Sequence, residues 1–300
     1  MLKKVLILLS WASACQAFDL QGHRGARGLA PENTLPAFAA ALALGVHTLE
    51  LDCGVTRDGV VVVYHDRTLN PDITRGPDGC FLDKRGPAIR ALDFAELQRY
   101  DVGRLREGSE YARPFPGQRP ADGTRVPRLA DVFALAAKSG NREVRFNIET
   151  KLSPQAPEET LPPAEFARAL IAEIRKAGLE KRSTIQSFDW RSLRVVQDEA
   201  PEIATVYLTG SRLEDNALEQ IKSSGGRIWS PNYRTLSAEK LKEARALGLK
   251  VVVWTVNEPQ DIAAMLDLAV DGIISDRPDL VREEMERRGM KLPPATPVQP

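Results

Sequence analysis

Val144-Arg145-Phe146-Asn147-Ile148-Glu149-Thr150, a helical run from Ala164 to Ala177 stopped by Gly178, and Thr184-Ile185-Gln186-Ser187-Phe188 make one strand–helix–strand unit. The outer runs are short and rich in Val, Ile, Phe and Thr. The middle run repeats its apolar residues at helical spacing and ends on a glycine suited to a helix C-cap. Working outward, the same alternation fills the chain. Further strand-like runs lie at Leu20–His23, Thr48–Cys53, Ala204–Leu208, Arg227–Pro231, Val251–Val256 and Gly272–Ser275. Helical patterns separate them, among them Leu35–Leu44, Leu129–Ala137, Leu193–Glu199, Ala238–Leu247 and Pro259–Leu268. Gly45, Gly140, Gly225-Gly226 and Gly248 follow helical stretches as Gly178 does. Strands that are apolar on consecutive positions belong to a parallel sheet covered on both faces. The pattern predicts an α/β fold, a (β/α)8 TIM barrel with a small insertion after the second strand. A doubly wound open sheet is the alternative.

The insertion announces itself by breaking the alternation. Arg57-Asp58-Gly59 reads as a hairpin turn, and Val60–His65 as an extra strand folding back beside the second. Arg67–Arg125 then holds many Gly, Pro and Asp residues and one short helical stretch, Phe94–Tyr100. In a barrel such a segment belongs among the βα loops of the catalytic face, where it would roof the site.

The ends differ from this body. Residues 1–17 combine Lys3 and Lys4, the apolar run Val5–Leu9 and a small-residue end at Ala14-Cys15-Gln16-Ala17, the pattern of a signal peptide cleaved after Ala17. The apolar run is too short for a membrane span. Lipidation at Cys15 is a weaker reading, because Ala12-Ser13-Ala14 lacks a large aliphatic residue. An exported, periplasmic protein with one domain over 18–290 is therefore expected. The Pro-rich residues 291–300 read as a disordered tail. Export places Cys53 and Cys80 in an oxidising compartment, where they form either a disulfide or one buried and one exposed thiol. No CxxC spacing suggests a zinc site. Lys+Arg and Asp+Glu both number 41, which argues against a nucleic-acid partner. Any phosphate must be held by local groups.

Those groups gather at the strand ends, where barrels keep their catalytic residues. His23 and Arg24 end the first strand, Glu50 and Asp52 the second, and Glu149 and Lys151 the third, with His65 at the tip of the hairpin. Residues two apart on a strand share a face, so Glu50 and Asp52 point together. Carboxylates facing one interior repel unless a cation sits among them, and an all-oxygen set favours Mg²⁺ or Ca²⁺. Histidine can move protons at both ends of phosphodiester cleavage, and Arg24 and Lys151 can clamp the phosphate oxygens. A lone histidine or strand-end acid is more often structural. Joint placement of two histidines, three acids and two cations is what points to chemistry. His47 begins a strand and reads as structural.

The strings His23-Arg24-Gly25, Pro31-Glu32-Asn33-Thr34, Glu50-Leu51-Asp52, Asp58-Gly59, His65-Asp66, Glu149-Thr150-Lys151 and Gln186-Ser187-Phe188 resemble the glycerophosphodiester phosphodiesterase family. Trp254-Thr255-Val256-Asn257, Asp271-Gly272-Ile273 and Asp276-Arg277-Pro278 extend the likeness, in order, across nearly the whole body of the chain. The resemblance implies a hydrolase releasing an alcohol and sn-glycerol 3-phosphate from a small glycerophosphodiester. Glu50, Asp52 and Glu149 would hold one divalent cation, Ca²⁺ or Mg²⁺, with His23 and His65 as acid and base. Arg24 and Lys151 would contact phosphate, and Phe188 and Trp254 the glycerol. Cys53 and Cys80 depart from the family pattern, with consequences for stability only. Three other readings stay open: a lysophospholipase D-like lipid phosphodiesterase, a hydrolase of some other phosphoester, and an exported non-catalytic binding protein on the same barrel. The first predicts an apolar rim on the catalytic-face loops. The second leaves Pro31–Thr34 unexplained, and the third predicts a missing histidine or acid. Oligomeric state has no signature in the sequence.

Overall fold

The computed structural model describes residues 18–210 and 214–300; the expected signal peptide lies outside them. Within those residues nine strands form one sheet: β1 (Asp19–Gly22), β2 (Thr48–Val55), β3 (Val61–Val63), β4 (Arg145–Thr150), β5 (Ser183–Ser187), β6 (Ala204–Thr209), β7 (Ile228–Pro231), β8 (Lys250–Val253) and β9 (Gly272–Ser275). All but β3 run parallel, and the ring closes where β1 pairs with both β2 (Gln21 with Thr48) and β9 (Leu20 with Ile273). Eight parallel strands closed by helical crossovers make a (β/α)8 barrel, not an open sheet. β3 pairs antiparallel to β2, Cys53 facing Val63, through a turn in which the Gly59 N–H donates to the Thr56 carbonyl.

The barrel helices are α1 (Leu35–Leu44), α3 (Leu129–Lys138), α4 (Pro163–Ala177), α5 (Trp190–Glu199), α6 (Ala217–Ser223), α7 (Ala238–Ala246), α8 (Pro259–Asp267) and α9 (Pro278–Arg287), with α2 (Phe94–Leu97) in the insertion. Thr34 caps α1, accepting from the Ala37 N–H, and Gly178 ends α4 in the left-handed conformation (φ 66°). Gly45, Gly140, Gly225 and Gly248 also take positive φ after their helices.

The core lies between sheet and helices. Leu20, Leu49, Leu51, Ile148 and Ile185 point outward from the strands, fully buried against apolar helix faces such as Phe38 of α1 and Phe166 of α4. The inside of the ring is different. On β1, β2, β4 and β5 the interior is polar: the Asn147 Nδ2 donates to both Gln21 Oε1 and Gln186 Oε1 at 2.9 Å, and the Thr184 hydroxyl to Asn147 Oδ1. Satisfied hydrogen bonds make this polar filling tolerable.

The insertion has its own small core of Val62, Tyr64, Leu69, Ile73, Ile89, Leu97, Val102 and Val126. Its helix is shorter than the sequence suggests, Phe94–Leu97. Of the two alternatives left for the cysteines, the structure has the second. Cys53 and Cys80 are separate thiols, the first buried in the core and the second exposed. Residues 291–300 form no helix or strand but touch the body of the molecule. Leu292 and Val298 pack on the main core, Thr296 N–H donates to Leu42 O, Lys138 Nζ to Gln299 O and Arg282 Nη1 to Pro293 O. Prolines deny this segment regular structure without denying it attachment. No described helix is long and apolar enough to cross a membrane.

Phe166→Ala would leave a large void under α4. It should destabilise the protein by about 3–5 kcal/mol without displacing the catalytic face, measured as a lower urea midpoint at unchanged slope.

Candidate active site

The ladder between β2 and β4 sets Asp52 opposite Glu149 and Glu50 opposite Asn147. Pleating turns Glu50, Asp52 and Glu149 toward the ring's axis, and one oxygen from each lies within 4.8 Å of the others. All three are buried. Burial raises the Glu50 carboxyl well above its ordinary range, and the charges of Asp52 and Glu149 add to this. Burial likewise raises Glu149, against the opposing charge of Lys151. At Asp52 burial is outweighed by Lys151, His65 and Arg24, which hold it below the carboxylate range. Three oxygen donors in one buried cluster, with no sulfur or nitrogen donor among them, can hold a hard divalent cation.

Each acid is aimed by a neighbour. Gln186 Nε2 donates to Glu50 Oε1 at 2.6 Å, and Asn147 fixes the Gln186 amide from behind. Asn33 Nδ2 donates to Asp52 Oδ2 at 2.8 Å, while its Oδ1 accepts from the Asp52 N–H. Lys151 Nζ lies 2.8 Å from Glu149 Oε1 and 3.6 Å from Asp52 Oδ1.

The turn after β1 carries the cations. Arg24 sits in the left-handed region (φ 51°), and its N–H donates to Glu50 Oε2 at 2.9 Å. Gly25 follows at φ 87°, where a Cβ would stand 2.7 Å from the Ala37 backbone, so only glycine fits. The Arg24 guanidinium is buried: Nη1 donates to Glu32 Oε1 (2.7 Å) and to Tyr111 Oη (3.1 Å). Its Nε lies 3.2 Å from Asp52 Oδ2 without hydrogen-bond alignment. Tyr111, from the insertion, donates to Glu32 Oε2 at 2.7 Å. The insertion also lays Phe115 under Arg27 at 4.6 Å and donates from Gln118 to the Arg27 carbonyl. The insertion is thus tied to the β1 turn at specific points.

The two histidines flank the acids. His23 Nδ1 lies 2.6 Å from Asp276 Oδ1, and its Nε2 is 3.9 Å from Glu50 Oε2. His65 follows β3, with Nδ1 2.6 Å from Asp66 Oδ1, and Asn70 Nδ2 donates to the other Asp66 oxygen. Burial, then Arg24 and Lys151, bring His65 down to about 4; burial also lowers His23, against the pull of Asp276. His47 lies apart, its Nδ1 accepting from the Leu20 N–H.

One cavity of about 260 Å³ is lined by His23, Arg24, Glu50, Asp52, His65, Glu149, Lys151, Phe188 and Trp254, so every candidate site residue meets there. Phe188 and Trp254 meet edge to face at 5.5 Å and, with Leu208 and Ile274, form an apolar wall. Phe188 is 47% exposed. A larger hollow on the insertion, about 500 Å³, contains no histidine and no buried acid cluster. Chemistry, not size, marks the site. Sequence reasoning gave no role to Glu32, Asn33, Gln186, Asp66 and Asp276, although all lie within the strings that carry the resemblance. Arg27 and Tyr111 had no signal at all, since both are brought in by tertiary contact.

Comparison with known proteins agrees with this geometry. The chain is 30% identical to a glycerophosphodiester phosphodiesterase of Caldanaerobacter subterraneus subsp. tengcongensis, over 89% of this chain and 97% of that protein. It is 32% identical to one of Bacillus subtilis, over 86% and 83%. A solved structure from Silicibacter pomeroyi, assigned to the glycerophosphoryl diester phosphodiesterases, superposes with a TM-score of 0.87 at 36% identity, covering 92% of this chain and 96% of that one. Residues 23–280 match the glycerophosphoryl diester phosphodiesterase family, a span that begins at His23 and ends just past Asp276, and the chain belongs to that family.

Proposed function

We propose that this enzyme hydrolyses glycerophosphodiesters to an alcohol and sn-glycerol 3-phosphate, with His23 and His65 as the acid–base pair. The observation that carries the reading is the joint placement of two imidazoles, a buried triple carboxylate, Arg24 and Lys151 around one small cavity. A diester phosphate entering that cavity meets cations on its non-bridging oxygens: Lys151 from β4, and Arg24, whose pose Glu32 and Tyr111 fix. One imidazole takes the proton from the attacking oxygen as the new P–O bond forms. The other enters the step protonated, favoured there by the diester's negative charge, and gives that proton to the departing alkoxide as the old P–O bond breaks, so proton and charge balance over the step. Glu50, Asp52 and Glu149 would hold Ca²⁺ or Mg²⁺, which when bound offsets negative charge building on the phosphoryl oxygens. The Phe188–Trp254 wall offers the glycerol carbons an apolar face. The attacking oxygen comes either from water or from the substrate's own glycerol hydroxyl.

The cavity is small, about 260 Å³, and lined mostly by charged and polar side chains, which supports a soluble diester over a lipid. Residues 1–17 carry the reading of an exported, periplasmic enzyme whose mature chain starts at Phe18.

The deciding experiment is release of glycerol 3-phosphate from several head-group diesters, with lysophospholipids and p-nitrophenyl phosphodiesters in parallel. Release is expected from the soluble diesters, to be abolished by chelator and restored by Mg²⁺ or Ca²⁺. Faster turnover of lysophospholipid would favour the lipid reading, and chelator-resistant turnover would remove the cation from the mechanism. His23→Ala and His65→Ala should each lower kcat by about a hundredfold or more with the circular dichroism spectrum unchanged. Near-normal activity of either variant would sink the acid–base assignment. N-terminal peptide mass analysis of protein made with its leader should find Phe18 first; an intact Met1 on the finished protein would rule out cleavage.

A further inference from the structure

Asp276 is placed as no other acid in the site is. It follows β9, the last strand of the ring, and reaches His23 at the end of the first. Each of its oxygens takes two contacts. Oδ1 receives His23 Nδ1 at 2.6 Å and Arg27 Nε at 2.9 Å; Oδ2 receives Arg27 Nη2 at 2.9 Å and Asn257 Nδ2 at 2.7 Å. Asn257 cannot turn over, because its Oδ1 accepts from the Asp276 N–H and the Ser275 hydroxyl. Arg27 is held in turn by Phe115 beneath its guanidinium. Asp276 is 1% exposed, so this array is shielded from water. By contrast, Asp66 has only Asn70 behind it and its side chain is 34% exposed.

A carboxylate beside an arginine and surrounded by donors can only accept. The proton on the shared His23–Asp276 contact therefore belongs to the imidazole. We propose that Asp276 is a positioning residue for the reaction: it fixes the neutral His23 ring as the Nδ1–H tautomer and leaves the Nε2 lone pair facing the acid cluster. The proposal deepens the phosphodiesterase reading, in which His23 moves a proton, and its main readout does not depend on that reading. It also assigns Arg27 and Asn257 a task, which is to keep Asp276 from turning.

Asp276→Asn separates this from a merely structural role. Besides His23, one donor (Arg27 Nε) faces the Oδ1 position and two (Arg27 Nη2 and Asn257 Nδ2) face Oδ2, so the new amide puts its oxygen at Oδ2 and its NH₂ toward His23. That forces Nδ1 to accept and moves the proton to Nε2, the wrong tautomer for taking a proton. The chain has only three histidines, so ¹⁵N-labelled imidazoles can be read individually by NMR, with His23→Ala assigning the signal. The wild type should show a protonated Nδ1 and an unprotonated Nε2 at His23, at a pH where the ring is neutral. Asp276→Asn should reverse them and lower kcat by about a thousandfold or more at little changed KM. A wild-type His23 protonated at Nε2 would overturn the proposal, even if the variant fails to fold. So would an Asp276→Asn protein with the reversed tautomer and undiminished kcat. Should the protein prove inactive on every glycerophosphodiester while the tautomers behave as expected, the substrate reading falls and the positioning of His23 stands.

Discussion

Three carboxylates share one buried cluster, and the rest of the catalytic face is arranged around that fact. Were all three ionised, unit charges no more than 4.8 Å apart would repel by roughly 3–4 kcal/mol a pair at an effective dielectric of about 20. Three such pairs approach the whole stability of an ordinary domain, about 5–15 kcal/mol. The cluster can exist only because positive charge and hydrogen-bond donors surround it. Lys151 and Arg24 provide charge, while Gln186, Asn33 and the Arg24 N–H provide donors. These same groups line the cavity or stand directly behind it. What makes the acids tolerable is also what the proposed reaction would use to hold a phosphate.

The constraint divides the ring. Strands β1, β2, β4 and β5 fill their interior with a hydrogen-bonded polar set through Gln21, Asn147, Thr184 and Gln186. The opposite side offers Leu208, Trp254 and Ile274. A diester of glycerol has the same duality, an anionic centre flanked by carbon. The division follows from acids placed on two adjacent parallel strands, β2 and β4, and the pairing of Asp52 with Glu149 makes it a matter of register.

Much of this could be read in the chain before any coordinates. Glu50 and Asp52 had to share a face, because strand side chains alternate, and Glu149 had to join them once β2 and β4 were neighbours. Strand order and helix ends followed from apolar runs punctuated by glycines such as Gly178. Partners assembled by closure were not readable: Asp276 lies 253 residues from His23 and meets it only because β9 pairs with β1. Tyr111 comes from a loop with no periodicity. Contacts of the C-terminal residues were not readable for a related reason: Pro293, Pro294 and Pro297 argue against helix and strand, and the packing of Leu292, Thr296 and Val298 follows only from the folded body.

The meeting of the first and last strands has an implication for how the molecule comes into being. A chain emerging from synthesis can in principle fold its first strands, its hairpin and its insertion early. It would then hold both imidazoles and all three acids in a half-built ring. The carboxylate that grips His23 arrives only with the final stretch, after nearly all the rest has been made. The setting of that imidazole is therefore a property of the finished circle, and a prematurely terminated product lacks the acid behind His23 by construction.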